Sequence, residues 1–209
     1  MTQTHKKLKL PQSELKRDAI LTAAVDVFLG CGFGAASMDS IAQRAGVSKA
    51  TVYSHFGNKE KLFGAIIKAQ CHELLIPLQT ADIASTDLEL TLRKIADHFM
   101  SLVINKAILA LYRVVISEAS RFPELARAFY KNGPEQTTRN FAHYLAEQAA
   151  HGDLEISDPM RAAEQFFSLL SGHVHIRALL GVESGNEVEE MSNHITAAIE
   201  TFLHTYRPH

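Results

Sequence analysis

Residues 38–57 read MDSIAQRAGVSKATVYSHFG, and the spacing inside this stretch decides the fold of the region around it. Ala42 is small where two helices must cross closely. Four residues on, Gly46 supplies the left-handed conformation that ends a helix in a tight turn. Six further on, Val52 is β-branched and apolar, placed to pack back against Ile41 from the next helix. Small residue, glycine, apolar residue at those intervals is the arithmetic of a helix-turn-helix. In such a unit the second helix enters the DNA major groove and its N-terminal side chains reach base edges.

Polar residues fall where that task needs them. Ser48, Lys49, Ala50 and Thr51 form the first turn of the second helix, with Tyr53, Ser54 and His55 further along. Lys49 can bond guanine acceptors or neutralise a phosphate, and Ala50 can touch a thymine methyl. Tyr53 and His55 can reach phosphate oxygens. Ser37 and Lys59 stand at helix starts, where free N–H groups and the helix dipole favour an anion. The same residues also admit a plainer reading, with Ser37 and Ser48 as N-caps and Tyr53 as core. Capping and phosphate contact are compatible.

Outward from this stretch the periodicity stays near 3.6, so the chain is expected to be all-α. Ile20, Ala24, Val27, Phe28 and Cys31 line a first helix closed by Gly32 and Gly34. A fourth helix starts near Lys59 and carries Leu62, Phe63, Ile66, Ile67, Leu74 and Leu75 before Pro77. Further helical patterns cover about 86–104, 106–120, 123–131, 134–151, 158–181 and 186–206, set off by Pro and Gly. The expected division is a helix-turn-helix DNA-binding domain over 1–58, with 1–12 a flexible basic arm, and a helical ligand-binding and dimerisation domain over 59–209.

The 209 residues are 46% hydrophobic and 21% charged, which suits a packed globular core. No run approaches 18 uninterrupted apolar residues, and the start MTQTHKKLKLPQS lacks a signal-peptide core. Only two cysteines occur, Cys31 and Cys71, with no CxxC. A cytoplasmic protein with no membrane partner is the expectation. The net charge of −2 hides a split: residues 1–61 carry +4 and the remainder −6. A basic head on an acidic body suits one end facing a polyanion.

Residues 14–67 resemble the DNA-binding head of the TetR family of transcriptional regulators. The likeness runs through AILTAAVDVFLGCGFGAASMDSIAQRAGVSKATVYSHFGNKEKLFGAI, with VSKATVYSHFGNKEKLF its most specific block. RFPELARAFYKNGPE (121–135) and HVHIRALLG (173–181) look like the AefR-type branch of that family. The resemblance implies a three-helix head, a helical body, a homodimer, and repression at a DNA operator relieved by a small-molecule effector. Activation stays open, because it depends on promoter position.

Two further sets of residues follow from the body. Phe99, Val103, Tyr112, Val115, Phe141, Tyr144 and Phe166 are aromatics and β-branched residues that could line an apolar cavity for a hydrophobic or amphipathic effector, though each also suits plain core. The penultimate helix shows two apolar faces, Ala162, Phe166, Leu169, His173, Ile176 and Leu180 on one and Met160, Ala163, Phe167, Leu170 and Val174 on the other. The last helix spaces Val188, Met191, Ile195, Ala198 and Phe202 as a bundle seam. Phe167, Leu170, Val174, Met191, Ile195 and Phe202 are therefore expected at a two-fold dimer interface. No cofactor or metal is expected: His173 and His175 lie two apart on opposite helix faces, and no HExxH occurs. Neither GxSxG nor a P-loop is present, so an enzyme is not expected. The rival reading is a helical-bundle enzyme or an interaction module without operator binding.

Overall fold

The computed structural model describes residues 12–72, 87–182 and 187–208. Among these residues the chain forms ten helices and no strand. In order they are α1 (Gln12–Ala35), α2 (Met38–Ala45), α3 (Lys49–Phe56), α4 (Lys59–His72) and α5 (Leu88–Val103). Then follow α6 (Lys106–Glu118), α7 (Pro123–Asn132), α8 (Pro134–His151), α9 (Pro159–Leu180) and α10 (Glu187–Tyr206). Apart from Gln12, the basic arm expected over 1–12 lies outside the described residues, as do Leu74 and Leu75.

The helix ends follow the local chemistry of the sequence. Ser37 Oγ accepts the Ser40 N–H at 3.0 Å, and Ser40 Oγ accepts the Ser37 N–H in return, a reciprocal box that starts α2. Gly46 ends α2 at φ 66, ψ 30, where a β-carbon would be disfavoured. Ser48 Oγ accepts the Thr51 N–H at 3.1 Å to start α3, and Asn58 Oδ1 accepts the Lys61 N–H at 2.8 Å to start α4. Two residues separate α2 from α3 after Gly46, so the pair cross as the helix-turn-helix spacing requires.

Two apolar clusters organise the packing. The first joins Ile20, Ala24 and Phe28 of α1, Ile41 and Ala42 of α2, and Val52 and Phe56 of α3 to Leu62, Phe63 and Ile66 of α4. Leu111 and Val115 of α6 and Leu125 and Phe129 of α7 belong to the same cluster, so the head's core continues into the body. Phe28, Phe33 and Phe63 form a ring cluster with centroids 5.4–6.0 Å apart, and Phe122 adds a fourth edge to Phe33. Each fully buried Phe contributes roughly 1.5–3 kcal/mol. The second cluster packs α5, α8, α9 and α10 around Phe141, Phe166 and Phe202.

Helix α1 is long and apolar enough to cross a membrane on length and composition, with mean hydropathy 1.5 in its most apolar window. Ile20, Ala24, Phe28 and Phe33 instead turn inward onto α2, α4 and α6, and the helix breaks at Gly32. A second break matters more for the body. At Gly172 the backbone of α9 takes φ 30, ψ −135, so the helix kinks there.

Close approach governs one corner. A β-carbon at Gly133 would meet Ile67 Cγ2 at 2.9 Å and the Phe129 carbonyl oxygen at 3.2 Å, so α4 can seat against the α7–α8 corner only because that position lacks one. Gly30, inside α1, has open space where its β-carbon would stand. We expect Gly133→Ala to lower stability by about 1–3 kcal/mol through overpacking. Gly30→Ala should raise it by roughly 0.5–1 kcal/mol through helix propensity. Thermal melts of the two variants beside the parent check the opposite signs.

Candidate DNA interface and effector cavity

On α3 the exposed residues are Lys49, Ala50, Tyr53 and Ser54, with Ser48 exposed just before them. Val52 and Phe56 face the core. Thr51 and His55 are half-buried at the edges, and the His55 ring leans on Phe56 at 6.0 Å. Ser37 is exposed at the start of α2. The structure thus brings Ser48, Lys49, Ala50 and Tyr53 onto one solvent-facing ridge, flanked by Thr51 and His55. Tyr53, at 44% exposure, is surface and not the core residue that its plainer reading allowed.

Two lysines have partners that the sequence did not announce. Lys49 Nζ lies 2.9 Å from Asp39 Oδ1 of α2, and that carboxylate raises its pKa above the usual lysine range, mainly through the hydrogen bond. Both groups are well exposed, so the pair exchanges readily for another partner. Lys59 has a different set of partners. Its ammonium turns back to donate to the Phe33 carbonyl at 2.5 Å and the Ala36 carbonyl at 2.9 Å, and it sits 4.4 Å from the Phe33 ring centre. It closes the end of α1, and its side chain does not join the α3 ridge. The free N–H groups at the start of α4, on which the expectation for Lys59 rested, are not used by these bonds.

A cavity of about 470 Å³ opens in the body between α4, α5, α6, α7, α8 and α9. That volume falls within the roughly 300–1,000 Å³ usual for small-molecule sites. Phe99, Val103 and Tyr112 line it, as the sequence suggested, together with Ile67, Ile108, Phe129 and Phe167. Four expected wall residues lie elsewhere. Val115 is buried in the cluster shared with the head, while Phe141, Tyr144 and Phe166 are buried in the body core. Phe141 and Phe166 pack ring against ring at 4.8 Å, and burial pushes the Tyr144 hydroxyl's pKa up. Mutual aromatic packing consumes these rings; their residue type carries no sign of which side of the wall they occupy.

The polar wall was not foreseen. Gln70 and Cys71 of α4, Thr137 and Thr138 of α8, and Glu164, Ser168, Ser171 and His175 of α9 all face the cavity. Burial pushes the Cys71 thiol up to about 11, with the Thr137 hydroxyl pulling the other way. The spacing 164, 168, 171, 175 is a single helical stripe, and that periodicity was available in the sequence as polar residues interrupting an apolar helix. Two polar side chains of α6 are engaged elsewhere: Arg113 donates to the Leu179 and Ala178 carbonyls at the end of α9, and Glu118 Oε1 accepts the Gly34 N–H at 3.0 Å.

The residues expected at a dimer interface also need correction. Phe167 lines the cavity, Leu170, Ile195 and Phe202 are buried in their own subunit's core, and Val174 and Met191 pack partly buried against it. The exposed apolar residues of α9 are Met160, Leu169, Ile176 and Leu180, the last at 72% exposure. An apolar helix face can be covered by its own bundle or by a partner, and the spacing alone does not say which; here the subunit's own core covers most of it.

Comparison with known proteins agrees with this architecture. Residues 20–66 match the family model described as bacterial regulatory proteins of the tetR family. Residues 90–208, more than half of the chain, match the C-terminal domain of AefR-like transcriptional repressors. The chain is 37% identical over 95 residues to the HTH-type transcriptional activator FasR of Mycolicibacterium smegmatis, a match spanning 46% of this chain but 43% of that protein. The solved structure of the flavonoid-responsive regulator FrrA is 40% identical, with TM-score 0.75, covering 92% of this chain and 97% of that one. A TetR-family regulator from Mesorhizobium loti superposes with TM-score 0.78 at 29% identity, covering 95% of this chain and all of that one. The protein is not an enzyme: with an exposed recognition ridge, a helical body and these matches, the chain belongs to the TetR family of helix-turn-helix transcriptional regulators.

Proposed function

We propose that this regulator is a homodimeric repressor that leaves a near-palindromic operator when a small amphipathic ligand enters the body cavity. The observation carrying the reading is the position of α4. Its first residue, Lys59, is bonded to the end of α1 in the head, and its last turns put Ile67, Gln70 and Cys71 in the cavity wall. A ligand that shifts this helix tilts the head. Operator half-sites hold two recognition helices about 34–36 Å apart, so a few ångströms of added separation breaks contacts. Ligand and DNA then compete without sharing a site, and typical couplings of about 1–3 kcal/mol weaken DNA binding roughly 5- to 150-fold, reciprocally.

On this reading residues 1–58 form the DNA-binding unit and 59–209 the effector and dimer unit. Ser37, Ser48, Lys49, Ala50, Thr51, Tyr53, His55 and the helix start at Lys59 meet the duplex, phosphate contacts supplying most affinity and the first turn of α3 the specificity. The exposed Leu169, Ile176 and Leu180 on α9, beside α10, offer the apolar surface for a two-fold helical interface. The repressor sense takes support from the body's match to AefR-like repressors, and the effector sense from the flavonoid-responsive regulator FrrA. FasR, an activator, favours a second sense in which the operator lies where bound protein recruits polymerase. A cytoplasmic location follows from work on chromosomal DNA.

Lys49→Ala and Tyr53→Ala should each weaken operator binding at least about tenfold while leaving the melting temperature unchanged. Lys49→Ala should also flatten the dependence of log affinity on log salt by about one unit if that lysine meets a phosphate. Gel shifts over a salt series read both. If both variants bind like the parent, α3 is not the reader.

Cys71 offers an independent readout of the cavity. Because burial raises its pKa, the thiol stays protonated at pH 8 and iodoacetamide attacks it slowly, the rate climbing about tenfold per pH unit until about pH 11. Cys31, exposed on α1, should label first. A compound that releases the operator should slow Cys71 labelling further; mass mapping of alkylated peptides shows whether it does.

A further inference from the structure

An acidic side chain stands on the recognition ridge. Asp39, in the first turn of α2, holds the Lys49 ammonium against both of its carboxylate oxygens, Oδ1 at 2.9 Å and Oδ2 at 3.0 Å. Lys49 is the first residue of α3, and its ammonium lies 5.9 Å from the centre of the exposed Tyr53 ring. The Asp39 and Lys49 side chains keep 63% and 58% of their surface open to solvent. The carboxylate is therefore presented beside the first turn of α3, on the same face as its exposed residues.

Stability gives it little reason to be there. An exposed ion pair favours the folded state by a factor of roughly 1.5 to 5. An acid in a first turn gains a similar amount from the helix dipole, and the reciprocal Ser37–Ser40 bonds already cap α2. Against DNA the carboxylate has a larger consequence. It repels phosphate, and it must be uncovered before Lys49 can reach a base. That penalty falls on every sequence alike unless a base edge supplies a donor to the carboxylate. In the major groove guanine offers the acceptors N7 and O6 and thymine offers O4, whereas cytosine N4 and adenine N6 carry amino groups. The match for lysine is guanine, and the match for aspartate is cytosine. In a G·C pair those two edges are joined, guanine O6 accepting from cytosine N4 over about 2.9 Å, the usual N–H···O length. The Lys49 ammonium and the Asp39 oxygen, also 2.9 Å apart, present a donor and an acceptor at that spacing.

We propose that Asp39 is a specificity-determining residue that accepts from the cytosine N4 amino group of one G·C pair in each half-site, while Lys49 donates to the guanine of the same pair. The inference rests on α3 being the reader and adds a residue of α2 to the reading surface. A reversed pair, C·G or A·T, sets donor against donor and acceptor against acceptor. A T·A pair keeps the order, but offers the ammonium O4 alone and crowds it with the thymine methyl.

Selection from a duplex library randomised over about three helical turns tests this, with the full chain, Lys49→Ala, Asp39→Ala and Asp39→Asn run in parallel. The parent should return an inverted repeat with a G·C pair in each half that relaxes in Lys49→Ala. The same pair should relax in Asp39→Ala, and its demand for cytosine should fall in Asp39→Asn. Gel shifts on the selected duplex then compare cytosine at that pair with 2-pyrimidinone, which lacks only the N4 amino group. The change should weaken the parent at least about fivefold more than Asp39→Ala, the low end for a good base contact; weaker base pairing is common to both proteins and cancels. A merely structural Asp39 would leave that ratio at unity. Asp39→Asn, isosteric with the parent, repeats the comparison should Asp39→Ala fail to fold. The proposal is overturned if the ratio stays at unity in the folded variants, or if Asp39→Ala and Lys49→Ala do not alter the same G·C pair. A parent selection without any shared inverted repeat defeats operator reading itself and this inference with it. A clear repeat with the ratio at unity defeats this inference alone.

Discussion

The end of α1 is where the molecule is tied together. Where that helix breaks at Gly32, backbone carbonyls and amides are left without helical partners, and buried groups of that kind must be met. They are met from two other helices. Lys59 of α4 donates to the carbonyls of Phe33 and Ala36, and Glu118 at the end of α6 accepts the Gly34 N–H. Phe122, at the start of α7, packs its ring edge on Phe33. A charged donor, a charged acceptor and an aromatic edge thus hold one short segment. Removing either charged partner would strand backbone groups of the other chain segment, at about 1–3 kcal/mol each.

This clamp makes the head a rigid extension of two struts. Helix α4 runs from Lys59 to Ile67 and Cys71 in the cavity wall, and α6 runs from Ile108 and Tyr112 in that wall to Glu118 at the clamp. Two helices therefore link the same cavity to the same point of the head. A single lever would leave the head free to rotate about its axis; under the proposed function, two struts meeting at α1 would convert a change in cavity width into a defined tilt. The close seat of α4 at Gly133 adds to this, because packing without slack transmits displacement instead of absorbing it.

How much of this was legible in the sequence divides along physical lines. The head was legible because its signals are local: Ser37, Gly46 and Ser48 set helix ends through contacts three or four residues away, and Val52 needs only its neighbours in α2. Helix boundaries in the body were legible for the same reason, with Pro123, Gly133-Pro134 and Pro159 as punctuation. The exposed partners and the cavity wall depend on tertiary geometry. Lys59 was read by its place at a helix start, and only the three-dimensional approach of α1's open carbonyls shows where its ammonium goes. Phe141 and Phe166 are indistinguishable in type from Phe99 and Phe129, yet the former face the core and the latter the cavity. The expected interface residues of α9 and α10 went largely into the subunit's own core, because apolar spacing does not say what covers a face. The polar stripe of α9 was legible in its spacing and not in its place, because periodicity does not show that a cavity lies against it.

Charge completes the argument about how the two ends divide their work. Lys49 and Asp39 neutralise one another across α2 and α3 in the free protein, and Arg44 is likewise held to Asp26 at 2.7 Å. The head's excess of positive charge is therefore partly masked by exposed pairs that contribute little to stability. Such pairs open at small cost when a phosphate or base edge offers a better partner, and Asp39 is then left beside the groove. A carboxylate in that place repels the phosphate backbone wherever Lys49 does not find its own contact. Under the proposed function, sliding on arbitrary sequence meets that repulsion, while a site that satisfies Lys49 relieves it. On the same reading the acidic remainder of the chain, at −6, keeps the opposite end away from the polyanion, so the long-range field would orient the molecule and the exchange of Lys49's partner would read the sequence.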